Sequence, residues 1–327
     1  SPYILEAQAI AATGGLPTNA EPRGAAPTSI TVSYSELDTF RQCPLKHQLA
    51  YRERWTKPPV DDSPLAKGTL WHAVMDAHYR ELAAQTEHLK ARQLANAETG
   101  ILDRCYRAVT PHLYDPRTGQ STPTQELIEW MYQGYVQQWG IDPDWRILGI
   151  EHSATVPLRN DQGRRTRFRL KLKIDLIVRS RSTGLVWVVD HKSGGTLPTQ
   201  QDLDLDDQFG LYTWALNQLR GTNPRITGSL HNAARTQRNK GPMALTDRFS
   251  RTLMNRTPVE LNNIALDAWR TARAAYSALN AVPYSSPDPR QCAWKCSFRD
   301  PHLIARKGQP LDQALYDFGF RIDRTRH

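Results

Sequence analysis

The period of hydrophobic positions changes along this chain, and each change marks an element. Ser33, followed three residues later by Glu36, has the form of a capping box, with Leu37 and Phe40 on one face of the helix it opens. Pro44 cannot continue that helix and biases Cys43 away from helical geometry, so Cys43 is expected at a break, with a new helix starting at Pro44. Ser63-Pro64 is a second helix start, and the helix proper is expected over about Thr69 to Ala84. Residues 86–140 read as helical with long polar faces and a break expected at Pro111, and 148–158 as a strand. From Phe168 to Asp175 apolar and charged residues alternate strictly, the pattern of a half-buried strand. Leu185-Val186-Trp187-Val188-Val189 is a continuous apolar run, expected of a central strand buried on both faces, and it ends in Asp190-His191-Lys192-Ser193-Gly194-Gly195. Phe209, Tyr212, Leu216 and Leu219 space an amphipathic helix over 206–219. A basic, loop-rich segment (231–251), a helix (258–280) and a Cys-containing tail follow. Strands interleaved with helices indicate an α/β fold.

Composition narrows the class. The 327 residues allow two domains or one large α/β domain, and 39% hydrophobic with 23% charged residues supply a core. No apolar run approaches the ~18 residues that span a bilayer. No secretory signal is visible, so a cytoplasmic protein is expected. Four cysteines exclude a disulfide scaffold. There is no His-Glu-x-x-His and no Gly-x-Ser-x-Gly, which disfavours a metalloprotease or a serine hydrolase. The net charge of +9 favours a polyanionic partner, most often nucleic acid. Residues 1–30, rich in Ala, Pro, Gly and Thr, read as an extension.

Asp190 and Lys192 are two apart at a strand end, so their side chains leave one face. A short hairpin joins this strand to the one carrying Asp175, so the two carboxylates can converge. Convergent carboxylates form a hard-oxygen site for Mg²⁺ or Mn²⁺, and a neighbouring lysine can position water or stabilise charge on a phosphate. On the tripeptide alone, an ordinary strand-to-loop turn is the favoured reading. The surroundings add His72 on a helix, Glu151 in the preceding strand, and Gln208 with Tyr212 at i and i+4.

In this order, His72, Glu151, Asp175, Asp190-x-Lys192 and Gln208-x-x-x-Tyr212 resemble the PD-(D/E)xK nuclease superfamily, specifically its RecB-like exonuclease branch. That branch includes CRISPR-associated exonucleases and phage recombination nucleases with an iron–sulfur cluster. The stretch from Ser35 to Lys46 is similar to the branch's first motif, and the resemblance runs from residue 33 to about 305. It implies an α/β, restriction-endonuclease-like core with a mixed central sheet flanked by helices and the N- and C-terminal segments joined by a metal or cluster site, as a single nuclease domain over 31–327, with a helical insertion at about 86–140 and a Cys-containing C-terminal segment at about 285–327. It implies His72, Asp175, Asp190 and the backbone carbonyl of His191 as metal ligands, Lys192 as the residue orienting water, and Gln208 and Tyr212 as DNA-contacting or supporting residues. Glu151 is assigned to a supporting position. Relatives usually carry Gly shortly before the first Asp, where this chain has Leu172 and Lys173, and an apolar or aromatic residue in place of His191. Asp76, one turn after His72, is expected to fix the histidine tautomer.

Arg165, Arg167, Arg169, Lys171 and Lys173 share parity with Asp175, so a regular strand would project a basic stripe suited to a phosphodiester backbone. A solvated edge face is the plainer alternative. Arg235, Arg238 and Lys240 form a candidate second DNA-contact loop. No base-reading motif is present, so backbone recognition and stacking are expected. Cys292 and Cys296 are at i and i+4, one helical face apart by a turn. In the resembling branch these thiols, a Cys of the first motif and a further ligand hold a [4Fe–4S] cluster; here the corresponding set is Cys43, Cys292, Cys296 and His302. A Cys₃His iron–sulfur cluster, a Zn²⁺ site, or reduced thiols without metal all remain open. Cys105 reads as a small buried residue. The implied activity is metal-dependent DNA exonuclease action in recombination or end processing, in the host cytoplasm if phage-encoded. The alternatives are a catalytically silent DNA-binding module and a subunit that recruits a recombination partner.

Overall fold

Ser33 ends strand β1 (Ile30–Ser33) and caps helix α1 (Tyr34–Gln42), its hydroxyl accepting from the Glu36 amide at 3.2 Å. The reciprocal half of the capping box is not made, because the Glu36 carboxylate is buried against His47 Nε2 at 3.1 Å and the Tyr276 hydroxyl at 2.9 Å. Cys43 is extended, and the chain restarts at Pro44 as α2 (Pro44–His47), as expected. The structure is a computed structural model and describes residues 29–58, 60–219, 225–239, 241–277 and 284–323. The N-terminal extension over 1–28, Lys240 and the expected helical residues 278–280 lie outside the described residues.

The backbone divides into two compact units. One holds Val60–Val156 and Leu172–Ile264; the other holds the described parts of Ala25–Pro59, Pro157–Lys171 and Ala265–His327.

In the first unit Ser63 caps α3 (Pro64–Thr86), accepting from the Ala66 amide at 3.1 Å. Helices α4 (Ala91–Leu113) and α5 (Pro123–Trp139) follow. Pro111 does not break α4, since it sits in the last turn, where a missing N–H removes one bond rather than a ladder. The strands are β3 (Trp145–Arg159), β4 (Arg165–Ser180), β5 (Val186–Gly194), β6 (Ile226–Arg235) and β7 (Phe249–Met254). β5 runs antiparallel to β4 (Leu176 opposite Val189) and parallel to β6 (Val189 opposite Leu230), and β6 runs antiparallel to β7. β3 also pairs with β4. The sheet is therefore mixed, with helices packed on it, as the family resemblance implied.

One expectation fails. The segment 231–251 was expected to be loop-rich, yet β6 and β7 occupy both its ends. β6 is a central strand disguised by small and polar residues, Ser229, His231, Asn232 and Ala233, all buried. It alternates between two helical layers. Leu230 and Ala234 join the core of Trp71, Tyr79, Met131 and Tyr135 from α3 and α5. Ser229 and His231 turn to α7 (Asp207–Gln218), meeting the Thr213 hydroxyl at 2.7 Å and the Phe209 ring at 5.3 Å. A short helix, α6 (Gln200–Asp204), precedes α7.

In the second unit β1 lies parallel to the first half of β4, with Ile30 opposite Phe168. The expected helix over 258–280 is α8 (Pro258–Ser277). The expected tail is three short helices, α9 (Pro289–Lys295), α10 (Arg299–Ala305) and α11 (Leu311–Asp317). Its core is Leu49, Trp55, Phe298, Leu315 and Phe320, and strand β2 (Trp55–Thr56) pairs with β8 (Arg321–Ile322).

A polar network lies buried in the first unit. Arg251 forms an ion pair with Asp142, which is held at a φ of 47°. The second guanidinium nitrogen donates to Asp142 Oδ2 and to the Tyr135 hydroxyl, each at 2.9 Å. Tyr79 donates to Asp142 at 2.8 Å, and the guanidinium lies over the Trp139 and Trp145 rings. Removing one partner of a buried pair strands the other charge, so Arg251→Met should cost about 3–5 kcal/mol in a denaturant titration.

His78, with Nδ1 3.0 Å from the Tyr132 hydroxyl, is pushed down to about 3 by burial, with Arg251 adding to the effect. The unfolded histidine binds a proton below about pH 6.5. The unfolded state therefore holds more protons between about pH 6.5 and 3, and stability falls as pH drops through that window. His78→Phe should flatten this slope by up to one proton, read from unfolding midpoints across pH.

Candidate active site

Adjacent strands carry the two carboxylates. Asp175 is on β4 and Asp190 on β5, which extends beyond its apolar run through Asp190, His191 and Lys192 to Gly194. Asp175 Oδ2 accepts the His191 backbone N–H at 2.8 Å and faces His72 Nδ1, from α3, at 3.2 Å. Burial raises the Asp175 carboxyl, but His72 and the His191 amide more than offset this and hold it below its ordinary value. Burial acts oppositely on net at Asp190: with Asp175 beside it, it lies above the usual carboxylate range even though Lys192 pulls the other way. Lys192 Nζ is 2.8 Å from the buried Asp190 Oδ2 as an ion pair. Burial pulls the Lys192 ammonium down, and Asp190 then Asp175 more than compensate, leaving it above the ordinary lysine value. His72 is likewise lowered by burial and raised further by Asp175, for a net rise.

Asp206 caps α7 through the Gln208 amide at 2.8 Å, and Gln208 Nε2 donates to the Tyr212 hydroxyl at 3.1 Å. Tyr212 is buried within the fields of Asp190, Lys192 and Asp175. His72, Asp175, Asp190, Lys192, Gln208 and Tyr212 thus gather at one place, although they span about 140 residues of sequence.

The His191 ring points away from the carboxylates. It stacks on Tyr79 with ring centroids 5.3 Å apart, and its Nδ1 accepts from Asn232 Nδ2 at 2.8 Å. The Asn232 amide also donates to Tyr135 at 2.7 Å, and Arg251 Nε donates to its carbonyl at 3.3 Å. Burial pushes His191 down to about 3, so the ring is neutral and able to accept. Asn232, Tyr79, Tyr135 and Arg251 were missed in the sequence. Asn232 lay in a stretch read as loop, and no spacing rule joins it to His191.

Other expectations need revision. Asp76 does not orient His72; it pairs with Arg80 Nε at 2.7 Å, one turn along α3, while His72 turns to Asp175. Glu151, at a φ of 50°, forms an ion pair with Lys173, so Lys173 is a paired group rather than a free cation. The stripe otherwise has the expected alternation: Arg165, Arg167 and Lys171 are exposed, Arg169 half-buried, and Phe168, Leu170 and Leu172 buried between them. Arg235 Nε donates to the Gly195 carbonyl at 3.0 Å. Arg238 donates to the Glu126 carbonyl at 2.8 Å and lies over the Trp130 ring.

In the second unit Cys43, Cys292, Cys296 and His302 line one cavity of about 80 Å³. The Ser286 amide donates to Cys43 Sγ at 3.5 Å. Cys296 is not on the helix with Cys292, because α9 ends at Lys295 and Cys296 is extended. Burial raises the Cys296 thiol, and the neighbouring Cys292 and Cys43 add to this against the pull of the Phe298 amide and Lys46. Among the described residues, no three His, Cys, Asp or Glu side chains are drawn together closely enough to hold a metal ion as they stand. The donor types nevertheless suit the implied groups. Two carboxylates on adjacent strands, that of Asp190 buried, suit a hard divalent cation. Three thiols and an imidazole around one cavity suit a soft-ligand centre.

A mixed sheet whose adjacent strands bear an aspartate and an Asp-x-Lys defines a nuclease-like site. The chain belongs to the PD-(D/E)XK nuclease superfamily, which it matches over residues 31–300. No curated protein matches it. Among solved structures it is similar to that of SSO0001 at 10% identity and a TM-score of 0.36, covering 91% of this chain and 96% of that one. It is also similar to a candidate exonuclease from Eubacterium rectale at 13% identity and a TM-score of 0.40, covering 80% and 92%. No helix among the described residues is long and apolar enough to cross a membrane.

Groups that hold a ligand-bearing segment in place commonly change metal affinity about 10–100-fold when removed. Asn232→Leu should weaken Mn²⁺ binding by that order in calorimetry on the folded protein, with the Asp175 and Asp190 side chains untouched.

Proposed function

We propose that this protein is a divalent-metal-dependent DNA exonuclease acting in recombination or DNA-end processing. The observation that carries the reading is the gathering of His72, Asp175, Asp190 and Lys192 at the β4–β5 pair, in a chain of a nuclease superfamily. His72, Asp175, Asp190 and the His191 carbonyl would hold Mg²⁺ or Mn²⁺, which when bound supplies Lewis acidity and a more acidic water. Lys192, charged and held by Asp190, orients the attacking water and meets charge developing on the phosphate. Tyr212, with Gln208 bonded to it, closes the site from α7 and supports Lys192 or the DNA. Arg165, Arg167, Arg169 and Lys171 attract the backbone without reading sequence.

In the same reading Cys43, Cys292, Cys296 and His302 hold a [4Fe–4S] cluster, with Zn²⁺ as the chemical alternative. Either would close a loop of about 250 residues and stabilise the fold.

The test is cleavage of single- and double-stranded DNA, labelled separately at each end, by protein purified without air, with Mg²⁺ or Mn²⁺. The wild type should degrade the DNA progressively from an end. Asp190→Ala and Lys192→Ala should each lose at least about a thousandfold in rate, an effect expected where metal and charge stabilisation are removed together. Equal degradation by wild type and Asp190→Ala would sink the assignment. Iron and zinc analysis of the same preparation reads the cysteine site. Cys296→Ser should lose the bound metal and melt at lower temperature, and metal-free wild type melting as high as the loaded form would remove the structural role.

A further inference from the structure

The first unit holds a second basic feature that the proposed chemistry does not use. A cleft of about 310 Å³ opens between α3 and the start of β3, lined by Arg80, Thr86, Glu87, Arg146 and Arg181. Arg179, near the end of β4 and two residues before Arg181, lies within the electrostatic reach of Arg146. Among the described residues, none of Arg146, Arg179 and Arg181 makes an ion pair, whereas Arg80 is paired with Asp76. The Arg181 guanidinium donates to the Thr86 carbonyl at 3.5 Å, and the field of Asp144 partly offsets that of Arg146. The Nε atoms of both Arg179 and Arg181 are buried and have no hydrogen-bond partner.

That arrangement is costly for packing alone. Orphaned buried donors and close like charges each destabilise a fold. Burial, and then the charge of Arg146, push the Arg179 and Arg181 guanidiniums below their ordinary value. A phosphate in the cleft would cancel the repulsion between the arginines that line it and accept from the guanidinium ends that face it, and planar guanidinium forks suit it better than ammonium groups would. Glu87 is the one carboxylate in the lining and sets a limit on the negative charge the cleft accepts.

We propose that this arginine cleft is a binding site for a phosphate group, separate from the carboxylate site. Its place in the fold bears on its use. Arg80 is two turns along α3 from His72, about 12 Å, and Arg181, one residue past the end of β4, is six residues from Asp175, about 20 Å of extended chain. At about 3.4 Å per nucleotide along a duplex strand, that is some four to six steps from the candidate cleavage point. Assigning the phosphate to DNA rests on the nuclease reading; the cleft's affinity for the anion does not.

The experiment uses the full chain with divalent cations chelated. Inorganic phosphate is titrated calorimetrically at low ionic strength into wild type, Arg146→Gln and Arg146→Lys. Short single strands bearing a 5′-phosphate, a 3′-phosphate or neither are titrated in parallel. Wild type should bind phosphate, Arg146→Gln should bind it at least tenfold more weakly, and its melting temperature should be unchanged or higher, because a repulsion is relieved. Arg146→Lys should lose part of the affinity while keeping the charge. A loss confined to one phosphorylated end assigns the cleft to that terminus, and an equal loss for all strands assigns it to an internal phosphodiester; both support the site. Failure of wild type to bind phosphate, equal binding by wild type and Arg146→Gln, or a lowered melting temperature with unchanged binding in Arg146→Lys overturns it. Absent DNA cleavage with intact phosphate binding would strike the nuclease reading and leave the cleft standing.

Discussion

Arg251 is a buried guanidinium from an outer strand of the sheet, and much of the first unit is arranged around keeping it satisfied. Asp142 balances its charge, Tyr79, Tyr135 and Asn232 take its remaining hydrogen bonds, and Trp139 and Trp145 cover its faces. Asn232 extends the network to the His191 ring, and the His191 backbone N–H reaches Asp175. Hydrogen bonds joined through the covalent frame of His191 therefore link the helical layer, beneath β5, to one of the two candidate metal carboxylates. Low polarity strengthens each link and makes each one costly to leave unmade. The segment bearing Asp190 and Lys192 is consequently held by its central residue, whose ring faces the core while its neighbours face the site.

The same alternation separates the two jobs of β5. Trp187 and Val189 pack with α3 and α5, and His191 continues that face into the polar network. Asp190 and Lys192 take the other face, near Tyr212 of α7. Two aspartates on neighbouring strands then meet contrasting surroundings. Asp175 has an amide and a histidine and stays readily ionised; Asp190 is more deeply buried, beside another carboxylate, with a lysine as its main compensation. Placing carboxyl groups in opposed environments is a common way for one site to divide its chemistry. Positive charge is also divided. The stripe on β4 is exposed and suited to long-range attraction, whereas the arginine cleft is partly desolvated and suited to a single oriented anion.

Local rules account for what was legible. The alternation from Phe168 to Asp175, the apolar run before Asp190, the Ser33 and Ser63 caps and the Pro44 restart are all decided within a few residues by backbone geometry and burial, and they appear where the pattern put them. The convergence of Asp175 with Asp190 and Lys192 was legible because hairpin pairing constrains where those residues go, whereas only the family resemblance joined His72 to them, since nothing local says which strand its helix faces. What tertiary structure decided were contacts chosen by competition between partners. His72 takes Asp175 rather than Asp76, because Arg80 claims Asp76; Lys173 is taken by Glu151; Glu36 leaves its capping role for His47 and Tyr276. β6 escaped notice because a strand buried on both faces can be built from small and polar residues when each finds a partner, and those partners lie on helices far away in sequence. A one-dimensional pattern records the apolar demand of a position, whereas hydrogen-bond and charge complementarity exist only once distant segments have been brought together.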